Sequence, residues 1–226
     1  MVLIAGLGNP GEQYEKTRHN IGFRVIDALI KELNAQRQSD KGFQGELYKS
    51  TQILLLKPTT FMNASGISLQ SVVAYYKPKG VIVIHDDLDL GFGVVKFKYG
   101  GGNAGHNGLK SIDSLYGKEY YKIRYGIGKP AQKSRIIHWV LENFTPQEEE
   151  QNAILIPHCS KAALAIAKLE SPKELSEKIS NYFTLNLQEK SQLQKQSQHS
   201  PNNQISNNQS TNARLQKLQE NPKNLF

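Results

Sequence analysis

The sequence predicts an α/β fold: a single layered domain whose mixed, mostly buried, twisted sheet is flanked by helices, followed by a disordered C-terminal tail. Three observations lead there. Short unbroken apolar runs, Val2 to Leu7 and Val81 to Ile84, have the length and continuity of strands covered on both faces. Segments with apolar residues at helical spacing alternate with such strands, the pattern of layered α/β domains. Polarity is also unevenly spread: from Asn186 to Phe226, 17 of 41 residues are Asn or Gln, too polar a stretch to bury a core of its own. The chain therefore divides into a folded domain at residues 1–185 and a tail at 186–226.

Taken in order, residues 2–7 form a buried strand that enters a turn at Gly8-Asn9-Pro10-Gly11. After a polar loop, Ile21, Val25, Ile26, Leu29, Ile30 and Leu33 keep helical spacing and predict a helix over residues 20–34. Stretches at 43–50 and 52–57 pair as a hairpin, which makes the sheet mixed rather than all parallel. A helix over 63–76 leads to the strand at 81–84, which ends in His85-Asp86-Asp87. The next strand, near 93–99, alternates Val95, Phe97 and Tyr99 with Lys96 and Lys98. A glycine-rich loop at 100–108 and a short helix follow, and then a strand over 120–128 sets Ile123, Tyr125 and Ile127 opposite Lys122 and Arg124. Each of these two strands is expected to show a basic face. Two capping boxes with Pro at the first helical position, Thr145-Pro146-Gln147-Glu148 and Ser171-Pro172-Lys173-Glu174, open the last helices. Pro157 should kink or split the first of them.

The charge of +8 suggests an anionic partner, although such an excess also serves plain solubility. Five basic and two acidic residues in the tail supply +3, which leaves +5 on the folded part. The single cysteine, Cys159, forms no internal disulfide and is read as a small buried apolar residue in a reducing compartment. No apolar run is long enough to span a bilayer, and the first residues lack the basic lead and length of a signal peptide. The expectation is a cytoplasmic protein with no membrane partner.

Gly6-Leu7-Gly8-Asn9-Pro10-Gly11 spells the dinucleotide-binding signature directly after a strand. Its context contradicts it: the third glycine opens a polar segment rather than a helix, and Asp27, about where the ribose-binding acid should end a second strand, lies inside a helical pattern. Polar clusters instead gather at the ends of apolar segments, where α/β proteins build sites. They are Gly8-Asn9-Pro10-Gly11, Thr17-Arg18-His19-Asn20, Phe61-Met62-Asn63-Ala64-Ser65-Gly66, His85-Asp86-Asp87-Leu88-Asp89-Leu90, and the loop Gly100 to Gly108 containing His106-Asn107.

In this order, from the N-terminus to about residue 185, these motifs resemble the bacterial-type peptidyl-tRNA hydrolase family. The resemblance implies an esterase that frees tRNA from a peptide without metal or cofactor. It assigns His19 as the base that activates water, Asp86 as the carboxylate that orients it, and Asn63 and Asn107 as substrate contacts. It gives Asn9 the task of distinguishing a blocked peptidyl ester from a free aminoacyl ester, and expects Tyr14 and Phe61 to line the substrate groove. The three asparagines also suit turn or cap chemistry. Lys96, Lys98 and Arg124 are candidates for holding tRNA phosphates. His106, His138, His158 and His199 show no ligand spacing and receive no role. The expected partner is peptidyl-tRNA, with no obligate protein partner and a monomeric state. The alternative is a catalytically inactive RNA-binding protein on the same fold.

Overall fold

The computed structural model describes residues 1–39 and 41–187. The elements run β1 (Val2–Gly6), α1 (Ile21–Glu32), β2 (Gln36–Arg37), β3 (Gly45–Ser50), β4 (Ile53–Pro58), α2 (Ser65–Tyr76) and β5 (Gly80–Asp87). They continue with β6 (Val94–Tyr99), α3 (Asn107–Leu115), β7 (Tyr121–Gly126), α4 (Ile136–Leu141), α5 (Pro146–Ile166), α6 (Asn181–Phe183) and β8 (Leu185–Asn186). One eight-stranded sheet takes the order β2-β3-β4-β1-β5-β7-β6-β8. Its centre, β4-β1-β5-β7, is parallel, and the outer pairs are antiparallel, the β3–β4 hairpin among them. The sheet is mixed, as expected.

Alternation along the central strands feeds two apolar layers. Ile4, Ile82 and Ile84 meet Val25 and Ile26 of α1 and Leu155 and Cys159 of α5 in one cluster. Leu3, Ala5, Val81 and Val83 meet Leu69 and Val72 of α2 and Leu109 and Ile112 of α3 in the other. Each buried Leu, Ile or Val contributes about 1.5–3 kcal/mol relative to exposure, so burial on both faces dominates the stability of the sheet centre. No helix among the described residues is long and apolar enough to cross a membrane.

The glycines of the false nucleotide motif have a packing explanation. A Cβ on Gly6 would stand 2.2 Å from the Gly22 carbonyl oxygen, and one on Gly22 would stand 2.3 Å from the Leu7 nitrogen. Strand and helix thus cross backbone to backbone. Gly11 leads into a 3-10 turn, Glu12–Tyr14, and the long helix begins only at Ile21, so the third glycine does not open a helix.

Four expectations need correction. Pro157 does not split α5, which runs unbroken for 21 residues. Pro157 and Ala153 lie on its exposed side, where water meets the carbonyl that proline leaves without a donor, while Leu155, Cys159, Ala162 and Ile166 hold the other side to the sheet. The Ser171 capping box does not close. The Glu174 carboxylate accepts from the Glu170 amide instead, and the chain enters a π-helical turn, Leu175–Ser180, whose wider winding keeps Leu175 and Ile179 together in the core. The basic face of β7 is half lost, because Lys122 is buried. Described structure also runs past the expected boundary at 185: β8 pairs with Val94 and Val95, and the Leu187 amide donates to the Gly93 carbonyl. The expected tail beyond 187 lies outside the described residues.

Candidate active site

Parallel strands β1 and β5 end side by side, and the polar clusters follow their carboxyl ends, the usual site position in open α/β sheets. His85, Asp86 and Asp87 close β5, and all three are buried. His19 comes from a 3-10 turn, Arg18–Asn20, that runs directly into α1. Its Nδ1 donates to Asp86 Oδ1 at 2.8 Å. A carboxylate only accepts, so this bond fixes the tautomer and leaves the lone pair on Nε2. Burial opposes a charged imidazole at His19, but the charge and hydrogen bond of Asp86 outweigh it and raise its pKa above the ordinary 6.5. Burial alone would likewise raise the Asp86 carboxyl; the imidazoles of His19 and His106 outweigh burial and hold it well below the usual carboxylate range. His85 differs: burial, with His106 beside it, lowers its pKa to about 4, so it stays neutral at physiological pH.

His106, to which sequence reasoning gave no role, is the second imidazole on the same oxygen. Its Nε2 lies 2.9 Å from Asp86 Oδ1, while its Nδ1 caps α3 by accepting from the amides of Gly108 and Leu109. The sole signal in the sequence was its place beside Asn107 in a glycine-rich loop. Arg18 was also passed over. Its guanidinium stacks 3.9 Å from the Trp139 ring centroid and bonds Glu148, tying the His19 turn to α4 and α5.

Asn9 is buried and doubly anchored. Its backbone exchanges two hydrogen bonds with the Asn20 side chain, and its Oδ1 accepts from the Met62 amide. The Oδ1 bond assigns the flip and leaves the amide NH2 as the donor available to a ligand. Asn9, His19, Phe61, Asn63, Asp86 and Asn107 all line one cleft of about 460 Å³. Asn63 and Phe61 belong to the exposed turn before α2, and Asn107 is the first residue of α3. The far wall is α4, with Ile136, Ile137, Val140 and Leu141, and Ile137 is 71% exposed. Tyr14 is half-buried in its own turn and is not part of the cleft lining.

None of the three cations lines this cleft, although Arg124 reaches its edge through Asp87. Lys96 and Lys98 are exposed on β6, and Lys96 is in register with Arg124 on β7. Arg124 is already committed through Nε to Asp87 at 2.8 Å. Among the described residues, one group brings three ligand-type atoms within 4.8 Å of one another: His19, Asp86 and His106. It does not fit a metal, because His106 Nδ1 already accepts two backbone N–H groups and its Nε2 must therefore carry a proton. Chemically the arrangement can move a proton: it sets an imidazole Nε2 without a hydrogen bond among the described residues beside a buried counter-charge and neutral amides around an open cleft.

A family model described as peptidyl-tRNA hydrolase matches residues 3–192. The chain is 49% identical over 187 residues to the peptidyl-tRNA hydrolase of a Sulfurovum species, covering 82% of this chain and 96% of that protein. It is 50% identical over 183 residues to that of Wolinella succinogenes, covering 80% and 94%. Among solved structures, the peptidyl-tRNA hydrolase of Acinetobacter baumannii superposes with a TM-score of 0.72 at 31% identity, covering 79% of this chain and 92% of that one. By sequence and by fold, the chain belongs to the peptidyl-tRNA hydrolase family.

Proposed function

We propose that the cleft hydrolyses the ester joining a peptide, or an N-blocked amino acid, to the 3′ end of tRNA, with His19 as general base. The observation that carries this reading is the hydrogen bond of 2.8 Å from His19 Nδ1 to the buried Asp86 carboxylate, which leaves Nε2 free in a cleft large enough for an aminoacyl ester. His19 Nε2 takes a proton from water as the water oxygen attacks the ester carbonyl carbon. Asp86 stabilises the imidazolium so formed. Asn63 and Asn107 present neutral amides to the substrate carbonyl and its oxyanion without placing a counter-charge beside His19. The proton then passes to the ribose oxygen as the carbon–oxygen bond breaks, giving a peptide acid and free tRNA.

The Asn9 amide is suited to donate to the carbonyl of an N-blocked residue, where a free ammonium would find no acceptor. Phe61, Ile137 and Leu141 offer apolar contact to the esterified side chain. Tyr14 would meet only a peptide that runs beyond the cleft. Lys96 and Lys98 hold backbone phosphates, joined by the terminal nitrogens of Arg124. The work is that of a cytoplasmic monomer recycling tRNA for translation.

The test is incubation with N-acetylated and with free aminoacyl-tRNA, EDTA present. Release from the first alone is expected, and His19→Ala should lower kcat by roughly 10²- to 10⁴-fold with tRNA binding retained. Near-normal turnover by that variant sinks the mechanism. Binding without release by the unaltered protein would leave an RNA-binding protein on this fold.

A further inference from the structure

Lys122 sits in the middle of β7, in register with Lys98 of β6 and Val83 of β5, on a face that alternation alone would give to solvent. It is instead 2% exposed. Its ammonium donates to three consecutive carbonyls, Gly100 at 3.0 Å, Gly101 at 2.9 Å and Gly102 at 3.2 Å. An ammonium has three donors, and all three are used. The Tyr120 ring centroid, 4.7 Å away, covers it further. A buried charge is tolerated only when it is satisfied in this way, so the loop must keep its three carbonyls turned inward wherever Lys122 is protonated. Glycine lets it do so: Gly100 and Gly101 take φ of +62° and +77°.

That loop carries chemistry at its far end. Asn103 donates to Asp113 of α3, His106 bonds Asp86, and Asn107 opens α3 on the cleft. The segment between Lys122's grip and the site is therefore short, and Asn103 and His106 anchor it.

We propose that Lys122 is a positioning residue: its ammonium, held by the carbonyls of residues 100–102, sets the loop so that His106 reaches Asp86 and Asn107 faces the substrate. It is not a phosphate ligand like its neighbours on the basic strands, because it has no donor left for one. The proposal rests on the reading of the cleft as the hydrolytic site.

Lys122→Met keeps the chain length and removes the ammonium. It should lower kcat on N-acetylaminoacyl-tRNA by roughly 10- to 100-fold while KM stays within about threefold, since misplacing a contact group costs the transition state more than the distant tRNA contacts. In proton NMR the imidazole N–H signal of His106 should broaden or vanish while that of His19 persists, a change that general loss of stability would not confine to one ring. Full activity, or a fall in kcat with both signals unchanged, overturns the proposal. Should Lys122→Met fail to fold, Lys122→Arg carries the test. Its planar fork cannot give three N–H groups from one nitrogen to the same carbonyls, so kcat should fall with the charge retained, and undiminished turnover refutes the idea. His19→Ala run alongside separates the two readings: an active His19→Ala condemns the site, whereas an inactive one beside a fully active Lys122→Met condemns only the role of Lys122.

Discussion

At the end of β5 one carboxylate oxygen holds two imidazoles, and each of them is fixed again from behind, His19 by the turn that starts α1 and His106 by the amides that start α3. On β6, Lys96 and Lys98 stand in solvent with no ion-pair partner among the described residues. The first region works by preorganisation in a buried setting, where removing one group leaves the others misdirected or unpaired. On the proposed reading the second works by charge in water, where each lysine adds a small increment that salt can screen. A variant should therefore report its region by the kinetic constant it moves.

The largest effect expected after loss of His19 itself is that of Asp86→Asn, which should lower kcat by roughly 10²- to 10⁴-fold. It should also move the pH profile with a definite sign. The base must be neutral, so activity falls as pH drops through the His19 pKa, which Asp86 holds above 6.5. Without the carboxylate, burial alone remains, and the acid limb of kcat/KM should move below 6.5. An acid limb that stays or rises breaks the account. The same raised pKa stabilises the fold at pH below about 6.5, and that gain is lost as pH rises through the folded-state value.

A smaller effect belongs to the other region. Lys96→Ala with Lys98→Ala should raise KM several-fold at unchanged kcat and reduce the slope of log affinity against log salt by nearly one for each phosphate no longer neutralised. A fall in kcat would mean that the stripe belongs to the catalytic corner after all. The smallest effect comes from truncation after Leu187, which should leave kcat and Tm within error, since β8 and the Leu187–Gly93 bond are kept. Cutting before Leu185 instead strips Val94 and Val95 of their partner strand and should lower Tm by a few degrees, roughly the effect of 1 kcal/mol in a domain of this size.

Much of this was legible in the residues. The strands read at 2–7 and 81–84 form, as Val2–Gly6 and Gly80–Asp87, because burial on both faces requires unbroken apolar runs. The Thr145 capping box formed as written because both of its bonds are local, between residues three apart. What stayed hidden depended on distant parts of the chain. His106 meets a carboxylate 20 residues away, through a loop whose path no periodicity encodes. Lys122 alternates like a solvent-facing residue, and only the fold of the glycine loop over β7 turns it into a buried one. Arg18 acquires its role from Trp139, 121 positions on. Tyr14 shows the converse: it was assigned to the groove by resemblance, and the structure leaves it outside the cleft lining.

The crossing of α1 over the sheet has a further meaning for the reaction. Gly22 rests not only on Leu7 but against the Ile84 carbonyl oxygen, 2.6 Å from where its Cβ would be and two residues ahead of Asp86. A methyl group on Gly6 or on Gly22 would lift the helix, and with it the histidine at its head, away from the strand that bears the acid. The separation between base and carboxylate is thus gauged by two carbons that are missing, and alanine there would disarm the site without touching any group that meets the substrate.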